Sequence, residues 1–130
     1  MVQPLLAELA AEDGIVRALE PSAGIGRFPS ALSGAGFERL RWTLVEYSPL
    51  SARILAALFP AADLYAPMPF ERFISEHEQE VAGSLSLVVS NPPYGERGPS
   101  SVEDRSPRYR GEQNAYQYFL RRTADLLRAG

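Results

Sequence analysis

Four short apolar runs divide this chain, and each is followed by residues with helical periodicity. The first is Ile15 to Leu19, interrupted by Arg17 and ending at Glu20. The second is Trp42 to Glu46, and the third, weaker, is Asp63 to Ala66. The fourth, Leu85 to Val89, is nearly all apolar and β-branched at its end, as suits a strand buried on both faces. Between these runs, Phe28 to Leu32 suits a brief helix that ends in Ser33-Gly34-Ala35-Gly36, with Pro29 tolerable only in the first turn. Ser48-Pro49 offers an N-cap followed by proline at the first helical position, and Leu50, Ile54 and Leu58 then recur on one face until Pro60. Phe70, Phe73, Ile74 and Val81 mark a helix of about three turns. Tyr116, Phe119, Leu120, Thr123 and Leu127 line one face of a final helix, and residues 4 to 12 read as an opening helix stopped at Gly14. This alternation predicts an α/β fold, a parallel sheet with helices on both faces, and right-handed crossovers leave few topologies. Ligands bind such sheets beyond the carboxyl ends of the strands. The residues after the first, second and fourth runs are therefore where chemistry should gather.

With 130 residues, 45% of them hydrophobic, the chain fits one small domain with a core. No apolar run approaches the ~20 residues of a membrane helix, and the N-terminus lacks the basic flank of a secretory signal. The absence of cysteine excludes disulfides and thiolate metal sites and makes a cytoplasmic protein the default. The single histidine argues against a structural zinc site, so no metal is expected. The net charge is −3, with 13 basic residues, all arginine, against 16 acidic ones. Stand-alone nucleic-acid binders are usually basic. If this chain acts on DNA, most of the phosphate grip comes from elsewhere.

The first run leads into Glu20-Pro21-Ser22-Ala23-Gly24-Ile25-Gly26, whose small residues let the backbone approach a ligand ahead of a helix N-terminus. Only a G-x-G is present, and Pro29 stands where the third glycine of a dinucleotide fingerprint would be. The second run ends in Glu46, an acid about 20 residues beyond the glycines, which can accept from both hydroxyls of a ribose. Together these point to a nucleoside-containing cofactor. The fourth run ends in Ser90-Asn91-Pro92-Pro93-Tyr94-Gly95, the most specific feature of the chain. Consecutive prolines fix the backbone and remove two N–H donors, and Asn91 adds a side-chain acceptor. Two acceptors held together can grip a planar amino group, while Tyr94 offers a face for stacking a base.

These residues resemble the cofactor and catalytic motifs of the amino-group DNA methyltransferases, specifically the N6-adenine class with gamma motif order. The Leu19-to-Phe28 stretch and the segment from Asn114 to Gly130 look most like the methylase domains fused to large phage and plasmid helicases. The resemblance covers nearly the whole chain. It implies a Rossmann-like methyltransferase fold with family strand order 3-2-1-4-5-7-6, of which this chain holds strands 3-2-1-4 and lacks strands five to seven. It implies S-adenosylmethionine as cofactor, held by Glu20, Pro21, Ser22, Ala23, Gly24, Gly26, Glu46, Tyr47 and Asn91, with Tyr47 bordering the cofactor's adenine. It implies that Asn91, Pro92, Pro93 and Tyr94 are catalytic and grip a flipped adenine of DNA. A restriction-modification setting and further domains of a longer parent chain, for target recognition or helicase activity, follow from the same likeness.

Three departures accompany it. No acid follows the third run before Glu71, with Asp63 a poor substitute; no target-recognition domain is present; and the chain stops where the family continues. An unpaired outer edge over residues 85 to 90 would then self-associate or be covered by the last helix. Residues 95 to 111 are polar and read as one mobile loop, in which Arg97, Arg108 and Arg110 are the residues expected to touch DNA. His77 and Trp42 read as packing residues rather than catalytic ones. Two other functions share these motifs: N-methylation of protein glutamine or RNA guanine, and a degenerate cofactor-binding or interaction module of a larger DNA-processing protein.

Overall fold

The computed structural model of the protein describes residues 14–35 and 38–127, together with Ala7. The expected opening helix over residues 4 to 12 otherwise lies outside the described residues. Four strands, β1 (Val16–Glu20), β2 (Leu40–Val45), β3 (Asp63–Tyr65) and β4 (Leu87–Val88), alternate with helices α1 (Arg27–Gly34), α2 (Pro49–Leu58), α3 (Phe70–Val81) and α4 (Ala115–Ala124). All strand pairs are parallel, as the alternation predicts, and the order is β3-β2-β1-β4, the Rossmann-like order that the resemblance implies. The register pairs Leu19 with Thr43 and with Val88, which makes β1 central.

Alternate strand residues supply two cores. Leu19, Val45 and Leu85 pack on one face with Phe70, Phe73, Ile74 and Val81 of α3 and Tyr118 and Phe119 of α4. Ala18, Leu44 and Leu87 pack on the other with Trp42, Leu55 of α2 and Leu32 of α1. Successive side chains of a strand point to opposite faces, so helices on both sides follow from the apolar runs. Pro29 lies in the first turn of α1, and the Ser48 hydroxyl caps α2 by accepting from the Ser51 amide, with Pro49 opening the helix. His77 sits at the core edge against Tyr65 and Phe73, and Trp42 is buried.

Three details differ from the periodicity. In α2 the buried residues are Ala52 and Leu55, while Leu50 and Leu58 are exposed. Apolar residues lie on more than one side of that helix, and the side that is buried runs through Ala52 and Leu55. In α4 the inward face carries Ala115, Tyr118, Phe119, Arg122 and Thr123, while Tyr116 and Leu120 are turned outward and Leu127, past the helix end, is also exposed. β4 is the shortest strand, although the Ser86 and Val89 amides extend its pairing by donating to Arg17 and Leu19 of β1. Past α4 the chain returns to form an isolated parallel bridge between Leu127 and Leu85, two residues before β4. The outer edge is thus taken up at its first residue by the chain itself. Among the described residues no helix is long and apolar enough to cross a membrane.

Candidate functional site

The carboxyl ends of β1, β2 and β4 meet at one rim. After β1 the chain turns tightly: the Ala23 amide donates to the Val45 carbonyl at 2.9 Å, and Gly24 and Gly26 adopt φ of 58° and 80°. These left-handed angles favour glycine. At Gly26 a Cβ would also lie 2.2 Å from the Phe59 ring, so both the turn and the packing of α2 demand glycine there.

Two carboxylates close this turn, and their environments differ. Glu46 is half-buried, and its Oε2 accepts from the Gly24 amide at 2.6 Å while Oε1 accepts from the Ser48 amide at 2.8 Å. A carboxylate has about four acceptor positions, so Glu46 retains capacity for a ligand's hydroxyls. Glu20 is buried at the end of β1, and its Oε2 has no hydrogen-bond partner. Burial, and secondarily the charge of Glu46, push the Glu20 carboxyl up to about 8. Folded protein therefore keeps a proton that the unfolded chain releases near its ordinary value. Stability is full below about pH 4.5 and falls as the pH rises through about 8, by an amount on the order of 2–4 kcal/mol for this group. Urea unfolding at pH 5, 7 and 9 should show this slope, and Glu20→Gln should flatten it. An unchanged slope in the variant would assign the effect elsewhere.

The turn after β4 adjoins the glycine turn. The Ser22 hydroxyl donates to the Asn91 carbonyl at 3.2 Å and lies 3.4 Å from the Ser90 hydroxyl. Pro21, Ala23 and Pro92 are buried, whereas Asn91, Pro93 and Tyr94 face solvent, Tyr94 at 79% exposure. Tyr47, just past Glu46, is exposed on the same rim at 72%. Beyond Tyr94 a narrow neck forms. Glu96 bridges Asn114 in antiparallel fashion, the Ala115 amide donates to Gly95 and the Arg97 amide to Gln113.

The segment above this neck is built, not featureless. It holds 3-10 turns at Pro99–Glu103 and Pro107–Tyr109. Arg97, expected to reach DNA, points inward with 2% of its side chain exposed. Its guanidinium donates to the carbonyls of Ser101, Tyr109 and Glu112 and stacks 3.6 Å from the Tyr118 ring centre. Asp104 is buried and accepts from the Tyr118 hydroxyl at 2.7 Å and Arg122 Nε at 2.8 Å, while Arg122 grips Glu78 of α3 with both terminal nitrogens. Arg108 is exposed and pairs with Asp125; Arg110 is exposed. Of the three arginines, only these two lie on the surface.

A cavity of about 820 Å³ opens between the diproline turn and the ends of β2 and β3. Tyr47, Pro49, Pro67, Pro93, Phe70 and Phe119 give it flat apolar walls, and Glu71 and Arg97 lie among its lining. Glu71 is buried, 3.3 Å from the Ser100 hydroxyl and 3.5 Å from Arg97 Nε. It is the acid nearest in sequence to the place where the motif pattern left a gap, and the spacing alone did not single it out. Asp63, at the other end of β3, pairs with Arg41 on the surface. Among the described residues no cluster of three metal-ligating side chains occurs. No protein-family model matches the chain, and no curated protein matches its sequence.

Proposed function

We propose that this domain transfers a methyl group from S-adenosylmethionine to the N6 amino group of adenine in DNA. The carrying observation is the contact of Ser22 with Asn91, which brings the glycine turn and the diproline corner side by side. The residues present fit the cofactor. Glu20 leaves a buried carboxyl oxygen without a partner, Glu46 keeps acceptor capacity for ribose hydroxyls, and the turn at Gly24 and Gly26 leaves backbone accessible. The cavity walled by Tyr47 and Pro93 lies within the usual ~300–1,000 Å³ of ligand pockets and suits a purine, with Glu71 as acceptor for its exocyclic amine. When bound, S-adenosylmethionine supplies an activated methyl on a cationic sulfur.

The chain's own part is positioning. The Asn91 side-chain oxygen and the Pro92 carbonyl accept from the two hydrogens of the target amine. That draws the nitrogen lone pair out of the ring's conjugation and aims it. The two prolines keep these oxygens in place without backbone reorganisation. Tyr94 offers an exposed ring to the extruded base. No strong base is needed, because the nitrogen loses its proton after the new bond has formed.

The test offers tritiated S-adenosylmethionine with adenine-containing DNA, a glutamine-containing peptide and a guanine-containing RNA. Label entering DNA alone, at adenine N6, is the expected result. Label in peptide or RNA would move the acceptor, and calorimetry showing no cofactor binding would remove the enzymatic reading.

A further inference from the structure

The outward turn of α4 leaves Tyr116 beside the diproline corner. Its ring lies parallel to that of Tyr94, tilted by 10° with centres 5.8 Å apart. Parallel rings at that separation are an offset stack, a favoured aromatic geometry. Both rings are exposed, Tyr94 at 79% and Tyr116 at 41%, so the pair contributes little burial to the fold. Tyr116 also borders Ser90 and Pro92 along a shallow groove. The neck fixes its place: the Ala115 amide, one residue earlier, donates to Gly95, one residue after Tyr94. Two ends of a long segment are thus tied so that their aromatic side chains meet at the catalytic turn.

We infer that Tyr116 is a positioning residue, a backing ring that holds Tyr94 as a stacking platform for the target nucleobase. The inference rests on the base-methylation reading and adds a residue to it. A tyrosine as exposed as Tyr94 would otherwise sample several rotamers and lose that freedom on binding a base. Stacked against Tyr116 on one face, it presents the other face already oriented. The occupant this favours is planar and aromatic, because the platform is flat and continues from the corner that grips an amine. The stack tolerates any base, and Asn91 and Pro92 select the one carrying an amino group.

The test uses the whole protein and a single-stranded oligonucleotide of mixed sequence with 2-aminopurine replacing adenine. Stacking on an aromatic ring quenches its fluorescence. Tyr116→Ala should weaken binding about five-fold and reduce the quench, and Tyr116→Phe should restore both. Thermal melting and calorimetric S-adenosylmethionine binding should stay as in the wild type. Wild-type affinity and quench in Tyr116→Ala would overturn the inference and leave the methyltransferase reading standing. A lowered melting point with lost cofactor binding would also overturn it, making Tyr116 a packing residue. If the unaltered protein binds cofactor yet neither binds nor quenches the probe, the base reading itself fails and the inference with it.

Discussion

Replacing Asp104 by alanine is expected to remove about 3–5 kcal/mol of folding stability. Asp104 is 7% exposed and accepts from three donors: the Tyr118 hydroxyl, Arg122 Nε and the Ser106 amide. Alanine leaves the Tyr118 hydroxyl and one face of a buried guanidinium without an acceptor, and unmet buried donors carry their full desolvation cost. Glu78 still holds the terminal nitrogens of Arg122, which limits the loss. Small domains are stable by about 5–15 kcal/mol, so the variant would lose a large share of its stability. Burial and the bond to Asp104 keep the Tyr118 phenol protonated, so pH does not relieve the defect in the neutral range. Urea unfolding followed by circular dichroism measures the effect, and Asp104→Asn, which keeps an acceptor, should lose less. A loss under about 1 kcal/mol for alanine would mean that the pairing contributes no more than a surface contact.

The second large effect is catalytic. Asn91→Ala should lower methyl transfer about 100- to 1,000-fold, the usual size for losing one preorganised hydrogen-bonding group at the reacting centre. Asn91 is exposed and only its backbone carbonyl holds the Ser22 hydroxyl, so the contact between the two turns survives the change. Cofactor affinity should therefore be largely kept, and unfolding should be unchanged. Tritium transfer and calorimetry on the same preparations separate the two outcomes. Equal activity in both proteins would refute the role given to Asn91, whatever the cofactor data show.

The alternation of strands and helices and the meeting of three loops on one rim were legible because they depend on local pattern, whereas the strand order was an expectation carried by the family resemblance. Apolar runs separated by helical spacing leave few topologies, and Glu20, Glu46 and Asn91 each end a run. The segment over residues 95 to 111 was not legible. Arg97, Asp104 and Arg122 look like surface residues in isolation, and their burial depends on partners such as Tyr118 and Glu78 that are distant in sequence. The same blindness turned α4: a pattern that counts apolar residues puts Tyr116 inside and Arg122 outside, whereas ion pairing reverses both. The sequence marks Glu71 only as the first acid past the gap and not as a site residue, for a different reason. It opens α3 rather than following β3 directly, and only the folded chain brings it to the cavity.

The neck between Gly95 and Ala115 has an evolutionary consequence. Its bonds run backbone to backbone, from Ala115 to Gly95 and from Arg97 to Gln113, and so depend little on which side chains occupy the arc they enclose. Within that arc the exposed Val102, Arg105 and Arg110 could change in size or charge, while the buried Arg97, Asp104 and Tyr109 keep the segment seated. Under the proposed function, selectivity for the polymer could then diversify at these exposed positions, independently of the residues proposed to move the methyl group.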